Sequence, residues 1–488
     1  MSSEVGVTFG LVLALALAGC STMPDRQATA GPLPTSWDMG QAPTGSVPSS
    51  VQSWWNGFDD PLLSQLIEEA TTSAPSVRLA QSRLMEARST ARQTVAAYLP
   101  QVSGRASGDY TGVEDGPDLV GSFQEFFTGG GAPAREREQM RGVYGPRVSW
   151  EVPLFGRVEA AWRGSRAVQA TAQADLRGAR AAIAADLADA YVDLRRAQNL
   201  ELALSESAIA ARRLADILDV GAGAGLIAPA DAADARRLSA SVRVRLPDVS
   251  LAVRQSQASI ALLRGHAPGA DDPAVTARLN ERQTIPAPAA FAAPAAPAEL
   301  LRMRPDIAAS AARAEAAAAN VAVARSDLLP QLNLTGGFSI ADNLIGTGVA
   351  ERSSQIDAQP VLSVPIFAWG QRMAAVRAAN ARFDQALIGY EQTVNQAVGE
   401  ASTSLAALSL AKERLDAALE AELAAEATWR GVRAAYDAGI QSLADRLRAE
   451  QQLIDARVSR IEAQASQAKA AIAVYRAFGG GPPDLVSR

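Results

Sequence analysis

Two stretches of the chain alternate apolar and polar side chains with a period of two residues. In the first, Tyr144, Val148, Trp150 and Val152 alternate with Gly145, Arg147, Ser149 and Glu151, and in the second, Leu332, Leu334, Gly336, Phe338 and Ile340 alternate with Asn333, Thr335, Gly337 and Ser339. This period places successive side chains on opposite faces of a β-strand. Polar, glycine-containing loops are predicted at 111–141 and 341–357. A soluble sandwich and a membrane barrel would both give this alternation.

Two much longer stretches carry the pattern of α-helices. No proline occurs between Pro153 and Pro229, nor from Ala368 to Gly481. About 65 helical residues at roughly 1.5 Å each would reach on the order of 100 Å. Glycines at 221–225 and at Gly439 predict turns, so the sequence predicts two long helical hairpins. A coiled-coil spacer would explain these helices but not the strands.

The folded part of the sequence contains an internal duplication. Segments that begin at Pro75 and Tyr98 recur 230 positions later, and four pairs lie 214 positions apart. These pairs are Gly156 with Gly370, Gly225 with Gly439, Asp231 with Asp445, and Gly265 with Gly479. Each half is predicted to run helix, strand, loop, strand, long helix, turn and long helix. Where the chain leaves the second predicted strand of each half, the motif Val152–Phe155 matches Val364–Phe367.

The number of strands limits how such a sheet could cross a membrane. Each half supplies two predicted strands, whereas the smallest membrane barrels have about 8. One chain therefore cannot satisfy its own sheet edges in lipid, and the barrel would be shared between chains. Two, three or four copies would give 8, 12 or 16 strands, and the strand count does not choose among them.

The N-terminal segment predicts the cellular compartment. The apolar run Val5–Ala18 leads into Leu17-Ala18-Gly19-Cys20, which has the form of a lipoprotein signal followed by the acylated cysteine. Cys20 would carry a covalent diacylglycerol and an N-acyl lipid, which together give stable membrane attachment. The alternative is an ordinary cleaved signal that happens to end at a cysteine. No later segment has the length of apolar sequence that a membrane helix needs.

These features divide the sequence into six parts. We predict a signal peptide at 1–19, a lipidated tether at 20–53, a first repeat at 54–285, a Pro/Ala linker at 286–297, a second repeat at 298–481 and a tail at 482–488.

Composition excludes several classes of function. The chain has 488 residues, a formal net charge of −6, one cysteine and one histidine. The negative charge argues against nucleic-acid binding, which needs a basic surface. With Cys20 and His266 as the single cysteine and histidine, disulfide frameworks and nearly every cysteine and histidine metal site are excluded. With no recognisable catalytic motif, we expect neither an enzyme nor a cofactor.

Several motifs together resemble one known family. They are the lipobox, Trp54-Trp55 with Phe58–Pro61, the Leu-Pro-Gln strand entries at Leu99 and Leu329, the strand exits at Pro153 and Pro365, and the terminal Ala477–Gly481. The chain is similar to the outer-membrane efflux proteins typified by TolC and OprM, in particular the lipoprotein branch that serves resistance-nodulation-division pumps.

The resemblance implies an α+β membrane channel. It would be a homotrimer with a twelve-stranded β-barrel, four strands per chain, continued by a long periplasmic α-helical barrel. It would be anchored by lipid in the outer membrane, extend into the periplasm and export drugs or other small molecules passively. The implied partners are a periplasmic adaptor (membrane fusion protein), an inner-membrane pump and outer-membrane lipid. The alternatives are a non-conducting structural periplasmic lipoprotein and a type I secretion duct.

The resemblance also implies where the duct would close. The periplasmic gate candidates are Asp445 and Arg448, with Asp231 and Asp234 in the first repeat. Arg448 stands where OprM-like sequences have an aspartate, and its spacing from Asp445 permits an ion pair. The adaptor would contact the turns at Gly225-Leu226 and Gly439-Ile440, although the first repeat has Ala222 where the second has Tyr436.

A plainer interpretation of the charged candidates is solvated helix surface. Arg195-Arg196 and Arg212-Arg213 are likewise interpreted as charges on helix surfaces. Trp54, Trp55, Trp150 and Trp369 are interpreted as packing or interface residues.

Overall fold

The computed structural model describes Pro24, Thr29 and residues 31–34, 49–112, 138–270, 272–288, 297–345 and 352–480. The predicted signal peptide, Cys20, most of the tether, the centre of the linker and the C-terminal tail lie outside the described residues. Contacts divide the chain into two compact units. One is built mainly on Arg88–Val168 and Ala314–Gln385, and the other on Ala28–Ala87, Gln169–Arg313 and Ala386–Arg488.

The described elements follow the predicted order in both halves. The first half contains a 3₁₀ helix at Ser49–Phe58, α1 (Pro61–Ser73), α2 (Pro75–Ala96), β1 (Gln101–Gly112), β2 (Glu138–Val152), α3 (Arg157–Gly223), α4 (Pro229–Arg243), α5 (Leu246–Arg264) and α6 (Pro273–Asn280). The second half contains a 3₁₀ turn at Pro297–Glu299, α7 (Leu300–Met303), α8 (Pro305–Ser326), β3 (Gln331–Ile345), β4 (Arg352–Ser363), α9 (Gln371–Asp437) and α10 (Leu443–Ala477). None of the described helices combines the length and apolarity needed to cross a membrane.

The four strands form one antiparallel sheet in the order β1-β2-β3-β4. Residues directly opposite each other share a face, so the register sorts the side chains of all four strands. One face carries Val102, Ala106 and Tyr110 of β1, Tyr144, Val148, Trp150 and Val152 of β2, Leu332, Leu334, Phe338 and Ile340 of β3, and Ile356, Ala358 and Leu362 of β4. The other face carries mainly serine, glutamine, asparagine, threonine and charged side chains. The prediction of four two-faced strands is confirmed.

The loops between the strands are shorter than predicted. Residues 341–345 and 352–357 continue β3 and β4 as paired strand, and β1 and β2 likewise extend into the predicted loop at 111–141. Polar residues such as Asp342 interrupt the alternation, but their backbones still pair. Asp342 lies opposite Arg352, whose Nε donates a hydrogen bond to the Asp342 carboxylate at 2.9 Å.

The duplication is confirmed by equal element lengths and equal backbone geometry. Both α3 and α9 have 67 residues and begin 214 positions apart, and the helices after the turns, α4 and α10, begin at the same offset. The paired glycines adopt the left-handed conformation, with φ of 73° at Gly156 and 77° at Gly370. The residues before them, Phe155 and Trp369, also have positive φ. The motif match of Phe155 with Phe367 leaves two extra residues before Gly370 in the second repeat, and by backbone conformation Phe155 corresponds to Trp369.

The prediction of one long helix for the second arm of the first hairpin is wrong, because this arm is interrupted, unlike its counterpart α10. The chain passes from α4 to α5 through Val244 and Arg245, just before Pro247. Proline has no N–H to bond back along a helix, which explains why the ladder breaks there.

Aromatic residues build the core of the second unit. Trp54 is buried and stacks on Tyr475 with ring centroids 5.1 Å apart, and Trp55 and Phe58 are buried beside it. Asp60 caps α1 by accepting hydrogen bonds from the backbone N–H groups of Leu62 and Leu63. Of the two predicted roles for this tryptophan pair, packing is the one observed within the chain.

Interpreting Arg195 as surface charge is wrong. Its side chain is 0% exposed. The guanidinium donates to the Tyr191 hydroxyl at 2.8 Å, to the Gln198 side chain and to the Glu281 carbonyl. Such bonds offset much of the cost of burying a cation. The Tyr191 hydroxyl donates in turn to Asp60 at 2.6 Å, and burial, followed by this bond, raises the pKa of Tyr191.

Gly145 offers a test of the sheet. A Cβ at this position would lie 1.9 Å from the Phe338 carbonyl oxygen on the next strand, whereas a Cβ at Gly108 would meet nothing within 4 Å. We expect Gly145→Ala to separate β2 from β3 at a cost of roughly 1–3 kcal/mol or more, seen as faster proteolysis of the strands. Gly108→Ala is the matched control and should change stability by less than about 0.5 kcal/mol. Equal protease resistance of the two variants would contradict the register.

Candidate functional site

The turns of the two hairpins share one backbone motif. At the first turn, Gly225 N–H donates to the Ala222 carbonyl at 3.0 Å and Leu226 N–H to the Gly221 carbonyl at 2.9 Å. At the second, Gly439 and Ile440 make the corresponding bonds at 2.9 and 2.8 Å. Both glycines have positive φ, as this helix-ending arrangement requires. The glycine turns predicted from sequence are therefore present in both repeats.

Each turn exposes a large aliphatic side chain. Leu226 is 80% exposed and Ile440 is 81% exposed. In this motif the residue after the glycine usually packs back on the helix. At the first turn the neighbouring Ile227 occupies that place, close to Gly221. Both exposed side chains are therefore free to contact another molecule.

The second turn joins Asp445 and Arg448 as their spacing predicts. Ser442 caps α10, since its hydroxyl accepts a hydrogen bond from Asp445 N–H and donates to Asp445 Oδ2 at 2.6 Å. Arg448 Nη1 donates to Asp445 Oδ1 at 2.8 Å. The hydrogen bonds from Ser442 and then Arg448 hold the pKa of Asp445 below its ordinary value. Asp445 therefore stays ionised, with both carboxylate oxygens engaged within its own helix.

The first-repeat candidates do not form a matching pair. Asp234 lies 3.5 Å from Arg237 of the same helix, and both side chains are exposed. Asp231 lies in the first turn of α4, which has no side-chain cap. The two turns are therefore alike in backbone and different in charge.

Arg446 is a residue of this site that the sequence analysis did not identify. Its guanidinium lies 4.8 Å from the centre of the Tyr436 ring and 3.8 Å from Asp437 Oδ1, so it joins the end of α9 to the start of α10. Burial raises the pKa of Glu450, one turn further along α10, while the charges of Arg446 and Arg433 oppose that rise. Arg446 thus connects both arms of the second hairpin next to the turn, as Arg457 and Arg460 do farther away through Glu422.

The first hairpin has no equivalent of this arginine. The positions that correspond to Tyr436 and Arg446 are Ala222 and Ala232. There the arms are joined by Asp219 and Arg236, whose charged atoms lie 3.5 Å apart in an exposed pair. These two residues correspond to Arg433 and Glu450, so the signs of the charges are exchanged between the repeats.

An apolar cluster lies beneath both turns. It brings residues of α3 and α4 together with residues of α10, so both hairpins contribute to one core. Its buried members near the turns are Leu214, Leu218, Ala232, Ala235, Leu238, Leu443 and Leu447. This packing fixes the helices from which the candidate charges project. No cluster of potential metal ligands occurs in the described part of the chain.

Substituting Arg446 tests its role in the second hairpin. We expect Arg446→Met to destabilise the hairpin by about 1–2 kcal/mol, because the ring contact and the charge opposite Glu450 are lost. Hydrogen exchange at the turn should then be roughly 5- to 30-fold faster.

This effect should depend on pH. Loss of Arg446 raises the pKa of Glu450 further, so the defect should be largest where the half-buried carboxylate is charged and should shrink as the pH falls and the carboxyl becomes protonated. Arg448→Met is the control and should leave exchange at the turn nearly unchanged. Equal exchange in both variants would contradict the role of Arg446.

Comparison with known proteins identifies the family. A family model described as outer membrane efflux protein matches residues 66–266 and 296–480. The chain is 28% identical over 474 residues to the antibiotic efflux pump outer membrane protein ArpC of Pseudomonas putida, covering 96% of this chain and 94% of that protein. It is 26% identical over 479 residues to the cation efflux system protein CusC of Escherichia coli K12, covering 96% and 98%.

A solved structure agrees with the sequence relatives. The fold matches that of the outer-membrane channel OprN with a TM-score of 0.79 and 28% identity, covering 95% of this chain and 99% of that chain. The predicted α+β channel fold is thereby confirmed. The chain belongs to the outer membrane efflux protein family, whose members are channels and not enzymes.

Proposed function

We propose that the chain forms the passive outer-membrane duct of a tripartite efflux system, as a homotrimer that shares one β-barrel. The two-faced sheet is the observation that carries this proposal. Its apolar face suits lipid and its polar face suits a water-filled lumen. The end strands β1 and β4 leave the sheet open, and three copies would close it with twelve strands.

Both repeats would contribute strands and helices to this duct. We keep the boundaries 54–285 and 298–481 with the linker 286–297, and the two segments matched by the family model support them. The helices of both repeats would form the periplasmic tunnel. A non-conducting spacer would not need four strands with one apolar and one polar face.

We further propose that a periplasmic adaptor docks at the hairpin turns. Leu226 and Ile440 are exposed aliphatic side chains at corresponding positions, and an adaptor could bury both. An inner-membrane pump of the resistance-nodulation-division class would supply the energy and select the substrate. Relatives are named for the efflux of antibiotics, toluene and cations, which supports a duct that accepts varied small solutes.

The tip near the second turn is our proposed gate. The side chain of Asp445 is 39% exposed and that of Arg448 is 66% exposed, so solvent screens the pair and it contributes little to stability. In a trimer, these pairs would place alternating negative and positive charges around the axis. Three aspartates alone would repel each other there. Asp231 and Asp234 would add acidic charge from the first repeat.

Conductance tests the duct and its gate together. In planar bilayers, we expect the purified protein to conduct weakly and the double variant Asp445→Ala with Arg448→Ala to conduct several-fold more, because the pairs at the tip are removed. Asp234→Ala with Arg237→Ala removes a similar exposed pair from the first repeat and should open the duct less. A double variant at Asp445 and Arg448 that assembles and passes no current would refute the duct.

Cys20, which lies outside the described residues, is proposed as the lipid-bearing residue. We expect Cys20→Ser to abolish acylation, detected by mass spectrometry or fatty-acid labelling, while trimers still assemble in part because the barrel also anchors the protein. Ser21→Ala should retain the acyl chains. Complete loss of the Cys20→Ser protein from the outer membrane would show that the barrel does not anchor it.

A further inference from the structure

Two arginines lie close together on the polar face of the sheet. Arg105 of β1 pairs with Gly145, and Arg147 of β2 pairs with Ser103 on one side and Gly337 on the other. Positions 103 and 105 have the same parity, so both arginines project from the same face. Their rows are two residues apart, which places them on the diagonal between neighbouring strands.

The space beside both arginines is kept open by glycine. The opposing strands approach so closely that a Cβ at Gly145 would lie 1.9 Å from the Phe338 carbonyl oxygen, and one at Gly337 would lie 3.0 Å from that of Pro146. Neither position can therefore hold a residue larger than glycine without moving the strands, and no side chain from either position fills the space beside the arginines. A recess of about 190 Å³ results, lined by Arg105, Arg147, Ser107, Ser339 and Asp357 among others.

The charge in this recess is not balanced by the residues that the structure describes. Asp357 is the one carboxylate among the residues that line it. No ion pair of Arg105 or Arg147 occurs within the described residues. Further along the same face, Glu151 lies 3.7 Å from Arg157, so its charge is already partnered. Asp109 lies nearer the other end of β1 and does not line the recess. With two arginines and one carboxylate in its lining, the recess therefore carries a net positive charge.

We propose that Arg105 and Arg147 form an anion-attracting band on the lumen wall of the barrel, so that the duct favours anionic solutes over cationic ones. The inference rests on the proposed function, because it requires the polar face to line the lumen. Three chains would bring six such arginines around one channel. Rings of arginine or lysine confer anion preference on pores, and a field of one sign concentrates the opposite ion. Guanidinium groups also bind carboxylates and phosphates with paired hydrogen bonds.

The test uses the full-length trimer in planar bilayers at low salt, where charge is least screened. Asp445→Ala with Arg448→Ala is present in every sample, so that the tip does not set the selectivity. The test variant is Arg105→Gln with Arg147→Gln. The first readout is the reversal potential in a potassium chloride gradient. The second is block of the current by inositol hexakisphosphate added from the barrel side.

We expect the test variant to shift the reversal potential toward cation preference and to need at least about tenfold more of the polyanion for half block. Arg105→Lys with Arg147→Lys keeps the charge and should retain most of the anion preference. Arg352→Gln removes an arginine from the opposite, apolar face of the sheet and should change neither readout, since glutamine can still bond to Asp342.

The outcomes separate the band from the duct. Open channels whose selectivity and block are the same with and without the two arginines would overturn the band and leave the duct intact. A larger effect from Arg352→Gln would overturn the band by showing that the other face lines the lumen. Absence of current in the background protein would reject the proposed function itself, and the band with it. If the double glutamine variant fails to assemble, Arg147→Gln alone should give a smaller shift in the same direction, and no shift would count against the band.

Discussion

Backbone hydrogen bonding at the two outer edges of the sheet is the constraint on which the rest of the molecule depends. β1 and β4 are the end strands, and each is paired on one side only within the described chain. In hydrocarbon an unsatisfied backbone group costs several kcal/mol, whereas an exposed ion pair contributes about 0–1 kcal/mol. In the proposed trimer, strand pairing between copies would therefore outweigh side-chain contacts in setting the assembly. The side chains would then decide which face of the closed sheet meets lipid and which meets water.

Equal helix lengths keep the same number of residues between strand exit and turn in both repeats. Each residue added to a helix turns it by about 100°, so an insertion in only one of α3 and α9 would change the direction in which the chain leaves that helix. Both helices have 67 residues, and both end in the same glycine motif. The duplicated backbone preserves the spacing, and the side chains at the two turns have diverged. Tyr436, Arg446 and Ser442 give the second turn contacts that Ala222, Ala232 and Ala228 cannot make at the first.

Periodicity predicted the parts of this fold that depend on local pattern. Alternation identified the strands, proline-free stretches identified the helices, and the repeated glycines identified the turns and the duplication. Pattern did not reveal that Arg195 is buried, because two of its partners, the Glu281 carbonyl and the Gln283 side chain, lie more than eighty residues away in sequence. It also missed Arg446, since an arginine in a charged helix gives no local sign that an aromatic ring lies beside it. The strand ends were missed because backbone pairing continues beyond the last apolar residue.

Contacts around the second turn differ in strength. The weak contacts can break when the tip moves, whereas the strong contacts keep the turn folded. Asp445 and Arg448 form an exposed pair within one helix. In the proposed trimer, contacts between the second turns of neighbouring chains could therefore break without disturbing the turn itself. Arg446 and the apolar cluster are largely shielded from solvent and join α9 and α10 to α3 and α4. Disrupting them would expose buried leucines, each worth about 1.5–3 kcal/mol when fully buried. Joint motion of the two hairpins leaves this cluster intact and therefore costs less than unfolding of a turn, which favours opening of the proposed gate by rigid-body displacement of both hairpins together.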